Sequence, residues 1–444
     1  MAANEIGALR RLVDTVLPLE PGQSLVIHAG TVLTGRLDGD RVLRDQAILV
    51  DDGRIAGVSP WHEGAVPTGA SVIDAARQTV MPGLIEAHLH VTGEWPHDPH
   101  GTHLEPFPEA RVLRGLLDTW AVFAAGFTTM FSMGHGHPSF VSAIKQLIDR
   151  EGLPGPRIYH CGWALSQSAG HGNVGEWNYE LVKHLRPRSA FADGPYQLRA
   201  LVRENVGLGA DFIKLFAGEG GFIAPDYVAR RLDFTPEEIR AITDEAHRLG
   251  FRVAAHCMSL AHARHAVGNG VDRVEHGPVG YEPDFVPLLA EHGASWCPTL
   301  SQLNWALLER ERRRLAPEVV EHIEGGIAGR CRMIQEALDR GVTVGFGTDN
   351  RMRPKAGRNG LEFAVMVEHG IAPLDAVSIG TLLAARLVGL EADLGTVEPG
   401  KLADLLVVDG DPASDIGLLT RTECIRRVVK SHRHTYPRPV PYSA

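Results

Sequence analysis

Between about residues 80 and 390, short apolar runs alternate with stretches whose apolar positions repeat at helical spacing. That alternation predicts a parallel sheet covered by helices. Eight runs qualify as strands: MPGLIEAHLH, GFTTMFSM (126–133), PRIYHCGW, ADFIKLF, FRVAAHCM, DRVEHG, ASWCPTL and VTVGFGTD. The intervening helices carry start signals. One opens at Thr235, where Thr235-Pro236-Glu237-Glu238 supplies an N-cap, a proline at the first helical position and early acidic residues. Eight strand–helix units predict an α/β fold, a (β/α)8 TIM barrel spanning 81–389.

The two ends of the chain have a different texture. SLVIHAGTVLTG and QAILVDDGRIAGVSP are short β-rich runs, with Asp51-Asp52-Gly53 as a hairpin signal. A matching run, LGTVEPGKLADLLVVDGDP, lies near the other terminus and is followed by CIRRVVKSHRHTY. Strand-rich flanks around an alternating middle predict one small β-sandwich domain assembled from residues 1–80 and 390–444.

Composition narrows the function classes. The chain has 444 residues, 44% hydrophobic and 22% charged, with glycine and proline spread along it, which is globular composition. A net charge of −10 gives no general attraction to phosphate backbones or anionic lipid, so a small-molecule substrate is expected rather than nucleic acid or membrane. Cys161, Cys257, Cys297, Cys331 and Cys424 are widely spaced and form no CxxC pair, so reduced thiols are expected. Without an apolar leader or a run of about 18 apolar residues, the expectation is a cytoplasmic protein. A homo-oligomer is a separate expectation, resting on no pattern in the sequence.

The candidate chemistry falls at strand ends, where barrel enzymes carry their active sites. His88 and His90 close the first strand, Lys214 lies late in the fourth, His256 and His276 end the fifth and sixth, and Asp349 ends the eighth. An i, i+2 histidine pair on a strand turns both imidazoles to one face, and imidazole nitrogens with a carboxylate suit zinc. Lys214 sits in the apolar run DFIKLF, so its ammonium needs either an acidic partner, Asp349 or Glu275, or conversion by carbon dioxide to an anionic carbamate able to bridge two cations.

PGLIEAHLHVTG, DFIKLF, AAHC, VEHG and GTDN together resemble the amidohydrolase superfamily, specifically its binuclear members with a carboxylated lysine. The opening strands, ARLVGL and LGTVEPGKLADLLVVDGDP resemble its imidazolonepropionase-like and prolidase-like branch. The resemblance implies two zinc ions: His88, His90 and Asp349 on the more buried one, His256 and His276 on the more exposed one, and carboxylated Lys214 between them. It further implies a bridging hydroxide that attacks an amide-like carbon–nitrogen bond, with Asp349 also moving the proton. SQSAGHGNVGEW is similar to the family's Gly-Gly-His-Gly segment, with Ala169 in place of one glycine, and so gives His171 a role at the substrate carbonyl.

Substrate contacts are expected from His135 and His137 in SMGHGHPSF, which equally fit ordinary loop histidines, and from Trp95 in GEWPHDPHGTHLEPF, a lid or a solvated loop with His97, His100 and His103. Trp163 and Trp177 fit an aromatic wall or core packing. The family pattern is broken at two places. Thr128-Thr129-Met130-Phe131-Ser132 replaces the Thr-Thr-Val-Arg-Asp of dipeptidase-like relatives, and Met258 replaces their tyrosine, which predicts a more apolar pocket. A deaminase or cyclic-imine hydrolase on the same frame, usually with one metal, and a scaffold without catalysis are the competing readings.

Overall fold

The computed structural model describes residues 12–93, 108–134, 136–172, 189–218, 231–308, 315–351 and 355–435. Strands from both ends of the chain join in one sheet, ordered β1-β16-β15-β5-β2-β3-β4. The early members are β1 (Val16–Pro18), β2 (Ser24–Leu33), β3 (Val42–Asp51), β4 (Arg54–Pro60) and β5 (Ser71–Pro82). The late ones are β15 (Leu405–Val408) and β16 (Ile425–Lys430), and β15 pairs antiparallel with β5 through Val407 and Val80. The expected sandwich strands are therefore hydrogen-bonded as a single seven-stranded sheet. Its buried face collects Leu25, Ile27, Ile48, Val50, Val80, Leu405 and Val407 into a core of its own. The hairpin expected at Asp52-Gly53 is present. Both residues take positive φ, 45° and 75°, the twist a two-residue turn needs to continue β3 into β4.

The middle of the chain supplies parallel strands, most at the predicted runs, with Ala164–Ser166 and Ser189–Phe191 in addition. β6 (Leu84–Leu89), β7 (Phe127–Ser132) and β8 (Arg157–His160) form one parallel set. β9 (Ala164–Ser166), β10 (Ser189–Phe191), β11 (Ile213–Phe216), β12 (Val253–Cys257), β13 (Arg273–His276) and β14 (Ser295–Cys297) form another, also parallel. The third predicted strand, PRIYHCGW, is interrupted after His160 and pairs with β7 on one side, while β9 continues to β11.

The eighth predicted strand, VTVGFGTD, has no ladder of its own. Its residues instead bond to both neighbours: Trp296 N–H donates to Thr343 O (2.9 Å) and Gly345 N–H to Trp296 O (2.8 Å), while on the other side Ala87 N–H donates to Phe346 O (2.9 Å) and Asp349 N–H to His88 O (2.7 Å). Gly347 shows why the pairing is broken. A β-carbon there would lie 2.4 Å from Cys297 Sγ and 2.7 Å from His88 Cβ, so the backbone passes too close to its neighbours for any side chain.

The helix Pro236–Arg248 begins as its sequence predicts. Thr235 Oγ1 accepts from Glu238 N–H (3.2 Å) and the Glu238 carboxylate accepts from Thr235 N–H (2.7 Å). Such a cap is worth about 1 kcal/mol. All five cysteines are free thiols, as expected, and four are buried. Among the described residues no helix is long and apolar enough to cross a membrane.

Candidate metal centre and active site

The parallel strands bring their polar C-terminal ends to one small cavity of about 60 Å³, whose walls include His88, His90, His171, Lys214, His256, His276 and Asp349. His90 Nε2 lies 2.9 Å and His88 Nε2 3.4 Å from Asp349 Oδ1. Ligand atoms of His88, His276 and Asp349 all fall within 4.8 Å of one another. The imidazoles of His256 and His276 are 4.7 Å apart, and His171 stacks on His256 at 4.2 Å.

Lys214 is the second residue of β11, deeper in the strand than the sequence suggested. It pairs in register with Ala254, one step on the same face below Phe216 and His256. Its Nζ is buried and has no hydrogen-bond partner among the described residues. Burial pulls its ammonium below the ordinary lysine range, against the pull of Glu275 and Asp349.

Three of the clustered histidines have an orienting partner on the other ring nitrogen. His88 Nδ1 meets Glu275 Oε2 at 2.5 Å, His90 Nδ1 meets Gly134 O at 3.1 Å, and His276 Nδ1 meets Thr299 Oγ1 at 2.7 Å. These contacts leave the Nε2 atoms for the cavity, the arrangement metal-binding imidazoles adopt. Burial alone would raise the Asp349 carboxyl, but bonds to His88 and His90 hold it well below the usual carboxylate range. Burial likewise pushes His276 far below the ordinary histidine value, so it offers a neutral nitrogen. Both His276 (φ 67°) and Asp349 (φ 50°) adopt left-handed backbone, a conformation costing about 1–3 kcal/mol for a residue with a side chain and concentrated at functional sites. A second group, His88, Glu275 and Cys297, fits a metal less well. Glu275 is already paired with Arg273, and burial raises the Cys297 thiol far above its ordinary value.

A sequence profile of the Amidohydrolase family matches residues 79–432. The chain belongs to the amidohydrolase family. The ochratoxinase of Aspergillus niger is 28% identical over 95% of this chain and 88% of its own length. A crystal structure of A. niger ochratoxinase superposes with a TM-score of 0.80 at 26% identity, covering 93% of this chain and 95% of that one. A Xaa-Pro dipeptidase crystallised with methionine in its active site gives 0.77 at 27% identity, over 90% and 97%. A 5-methylthioadenosine/S-adenosylhomocysteine deaminase of Symbiobacterium thermophilum is 25% identical, over 88% of this chain and 86% of its own.

In this amidohydrolase several expected substrate contacts take other positions. His137 is exposed and caps the helix Pro138–Asp149, its Nδ1 accepting from Ser139 N–H at 3.2 Å, with its ring edge-on to Trp163 at 5.1 Å. Met258 is buried, its N–H bonded to His262 Nδ1 at 3.2 Å, and is not among the residues lining the cavity. Trp163 is a core residue. Trp95, His97, His100, His103, His135 and Trp177 lie outside the described residues. His171 does reach the cavity, its backbone N–H held by Asp233 Oδ2 at 2.8 Å.

Other residues escaped the sequence reading. Glu86 accepts from His88 N–H (3.1 Å), Thr348 N–H (3.0 Å), Thr348 Oγ1 (2.8 Å) and Asn359 Nδ2 (2.8 Å), tying β6 to the segment that carries Asp349. Its two-residue spacing from His88 was the signal available. Met133, Ala164 and Phe216 give the cavity apolar walls, and Arg351 adds a cation beside Asp349 and His90.

Proposed function

We propose that this protein is a binuclear metal-dependent hydrolase of amide-like carbon–nitrogen bonds. Its parallel strands would close as a (β/α)8 barrel over 81–389 through the hydrogen bonds of residues 343–350, with 1–80 and 390–444 forming a composite β-domain. One observation carries the reading: the buried Nζ of Lys214, without a hydrogen-bond partner among the described residues, stands at a cavity walled by four histidines of ligand type and Asp349. An ammonium buried without a partner is costly, whereas a carbamate there is an anion among cations.

The donor set fits two zinc ions: His88, His90 and Asp349 would hold one, His256 and His276 the other, and carboxylated Lys214 would serve both. When bound, such ions supply an acidified water nucleophile and Lewis acidity toward the scissile carbonyl. The protein's own part then falls to two side chains. Asp349, kept ionised, takes the nucleophile's proton and delivers it to the departing nitrogen. His171, stacked on His256 at the cavity wall, donates a hydrogen bond to the carbonyl oxygen as negative charge grows there.

Met133, Ala164 and Phe216 favour an apolar or aromatic group next to the bond, so N-acyl amino acids, peptides, aryl amides and carbamates are the substrate classes assigned. Likeness to a Xaa-Pro dipeptidase supports an amide bond; likeness to a deaminase supports carbon–nitrogen hydrolysis of an amino-substituted ring as the second reading. A cytoplasmic homo-oligomer acting on a small molecule completes the proposal. A hydrolysis screen across these classes, with metal content measured in parallel, tests it. Two metals per chain with amide turnover supports the reading, while one metal per chain with ammonia release supports the deaminase.

A further inference from the structure

A larger cavity lies at the opposite end of the same strands. It measures about 400 Å³ and is lined by residues that precede or begin β11, β12 and β13, whereas His256 and His276 lie at the far ends of those strands. The volume is that of a small-molecule site, for which roughly 300–1,000 Å³ is usual. Phe131, Phe212 and Phe251 supply aromatic wall, with Leu387 and Val388 beside them. The rings of Phe131 and Phe212 are 5.6 Å apart.

Four charged side chains reach this cavity: Asp211, Arg252, Asp272 and Arg273. Three are already paired. Asp211 accepts from Lys145 Nζ at 2.8 and 2.9 Å and from His160 N–H at 2.9 Å. Asp272 meets His247 Nε2 at 2.9 Å and Val253 N–H at 2.7 Å. Arg273 pairs with Glu275, donates to Met133 Sδ at 3.5 Å and lies over Phe212 at 5.4 Å. Arg252 differs. Its Nε is shielded from solvent, and among the described residues it has no hydrogen-bond partner and its guanidinium no ion pair.

An unpaired guanidinium at an aromatic cavity is complementary to a ring carrying one carboxylate. The ring would replace water against the phenylalanines and the carboxylate would take the planar fork of Arg252. We propose that this cavity is a second binding site, separate from the histidine cluster, for an aromatic monocarboxylate anchored by Arg252.

The test is calorimetric titration of the full, as-purified protein with 3-phenylpropionate and with its uncharged amide. The acid should bind saturably and at least about tenfold more tightly than the amide, the loss expected when a charge-assisted hydrogen bond is removed. Arg252→Gln should weaken the acid by a similar factor, because it removes the cation that meets the carboxylate while standing apart from the histidine cluster. Equal affinity for acid and amide overturns the proposal, as does unchanged affinity in Arg252→Gln. A crystal soaked with the 4-bromo acid gives an independent reading: bromine between Phe212 and Phe251 supports the site, and bromine confined to the histidine cluster overturns it.

Discussion

His88 Nδ1 lies 2.5 Å from Glu275 Oε2, joining strands whose sequences are 187 positions apart. Burial would raise the Glu275 carboxyl, but Arg273 and His88 together hold it below the ordinary range, so an ionised carboxylate fixes the proton on Nδ1 and leaves Nε2 as the donor atom. Glu275→Gln keeps the shape and removes the charge. Metal affinity, measured by chelator competition, should fall about 10- to 100-fold. Unchanged affinity would mean that Glu275 serves only to neutralise Arg273.

Replacing His88, His90, His256, His276 or Asp349 singly by Ala should abolish turnover, and the intact protein should hold two divalent ions. A ligand lost directly from the metal costs at least an order of magnitude. Activity above about a tenth of wild type in His88→Ala would remove it from the ligand set.

Lys214→Ala should lose metal and activity together, since the carbamate that would serve both ions goes with the side chain. Added acetate or propionate should restore part of both by standing in the vacated space. Labelled carbon dioxide offers a readout apart from turnover: wild-type protein should show a carbamate carbon resonance that Lys214→Ala lacks. A resonance unchanged in the variant would place the carbamate elsewhere.

Glu362 is buried behind the site, accepting from Leu300 N–H at 2.8 Å and Ser301 N–H at 2.5 Å. Burial outweighs those bonds and pushes its carboxyl from 4.5 up to about 7. An acid raised on folding contributes stability that is fully present below its unfolded value and is lost as pH rises through the folded one. The stability of wild type should therefore fall between about pH 5 and pH 7 more steeply than that of Glu362→Gln, by about 1.4 kcal/mol per pH unit at most. Parallel urea midpoints across that range would show that Glu362 is ionised throughout.

How much of this was legible in the sequence differs residue by residue. His88 and His90 declare themselves because alternate strand positions share a face, and His276 and Asp349 because their strands stop at them. The left-handed backbone at those two residues was not legible, since neither is glycine and the conformation is imposed by neighbours. VTVGFGTD reads as a strand by its β-branched residues, yet Gly347 brings it too close to Cys297 and His88 for a regular ladder. The Glu275–His88 contact depends on how separate strands meet, which one strand's periodicity does not encode. His137 carried a catalytic residue type into a capping position, and Arg252 gained meaning only when the fold left it at a cavity whose two aspartates, Asp211 and Asp272, are engaged by Lys145 and His247.

Substrate preference follows from the cavity walls. Phe216 packs 4.9 Å from the His171 ring, and Met133 and Ala164 complete an apolar side facing the histidines. Removing apolar substrate surface from water gains roughly 25 cal/mol per Å², so a ring gains more than a small polar side chain. Aromatic N-acyl amino acids, aryl amides or aryl carbamates should exceed Gly- or Ala-containing dipeptides in kcat/KM by at least about tenfold, a transition-state difference near 1.4 kcal/mol. His171→Ala separates the wall from the chemistry. If its ring stabilises the growing oxyanion, kcat should fall more than KM rises, because the bond strengthens only as charge develops. A rise in KM alone would make His171 part of the binding wall, and small polar dipeptides proving equal or better substrates would sink the apolar-pocket assignment while leaving the metal ligands in place.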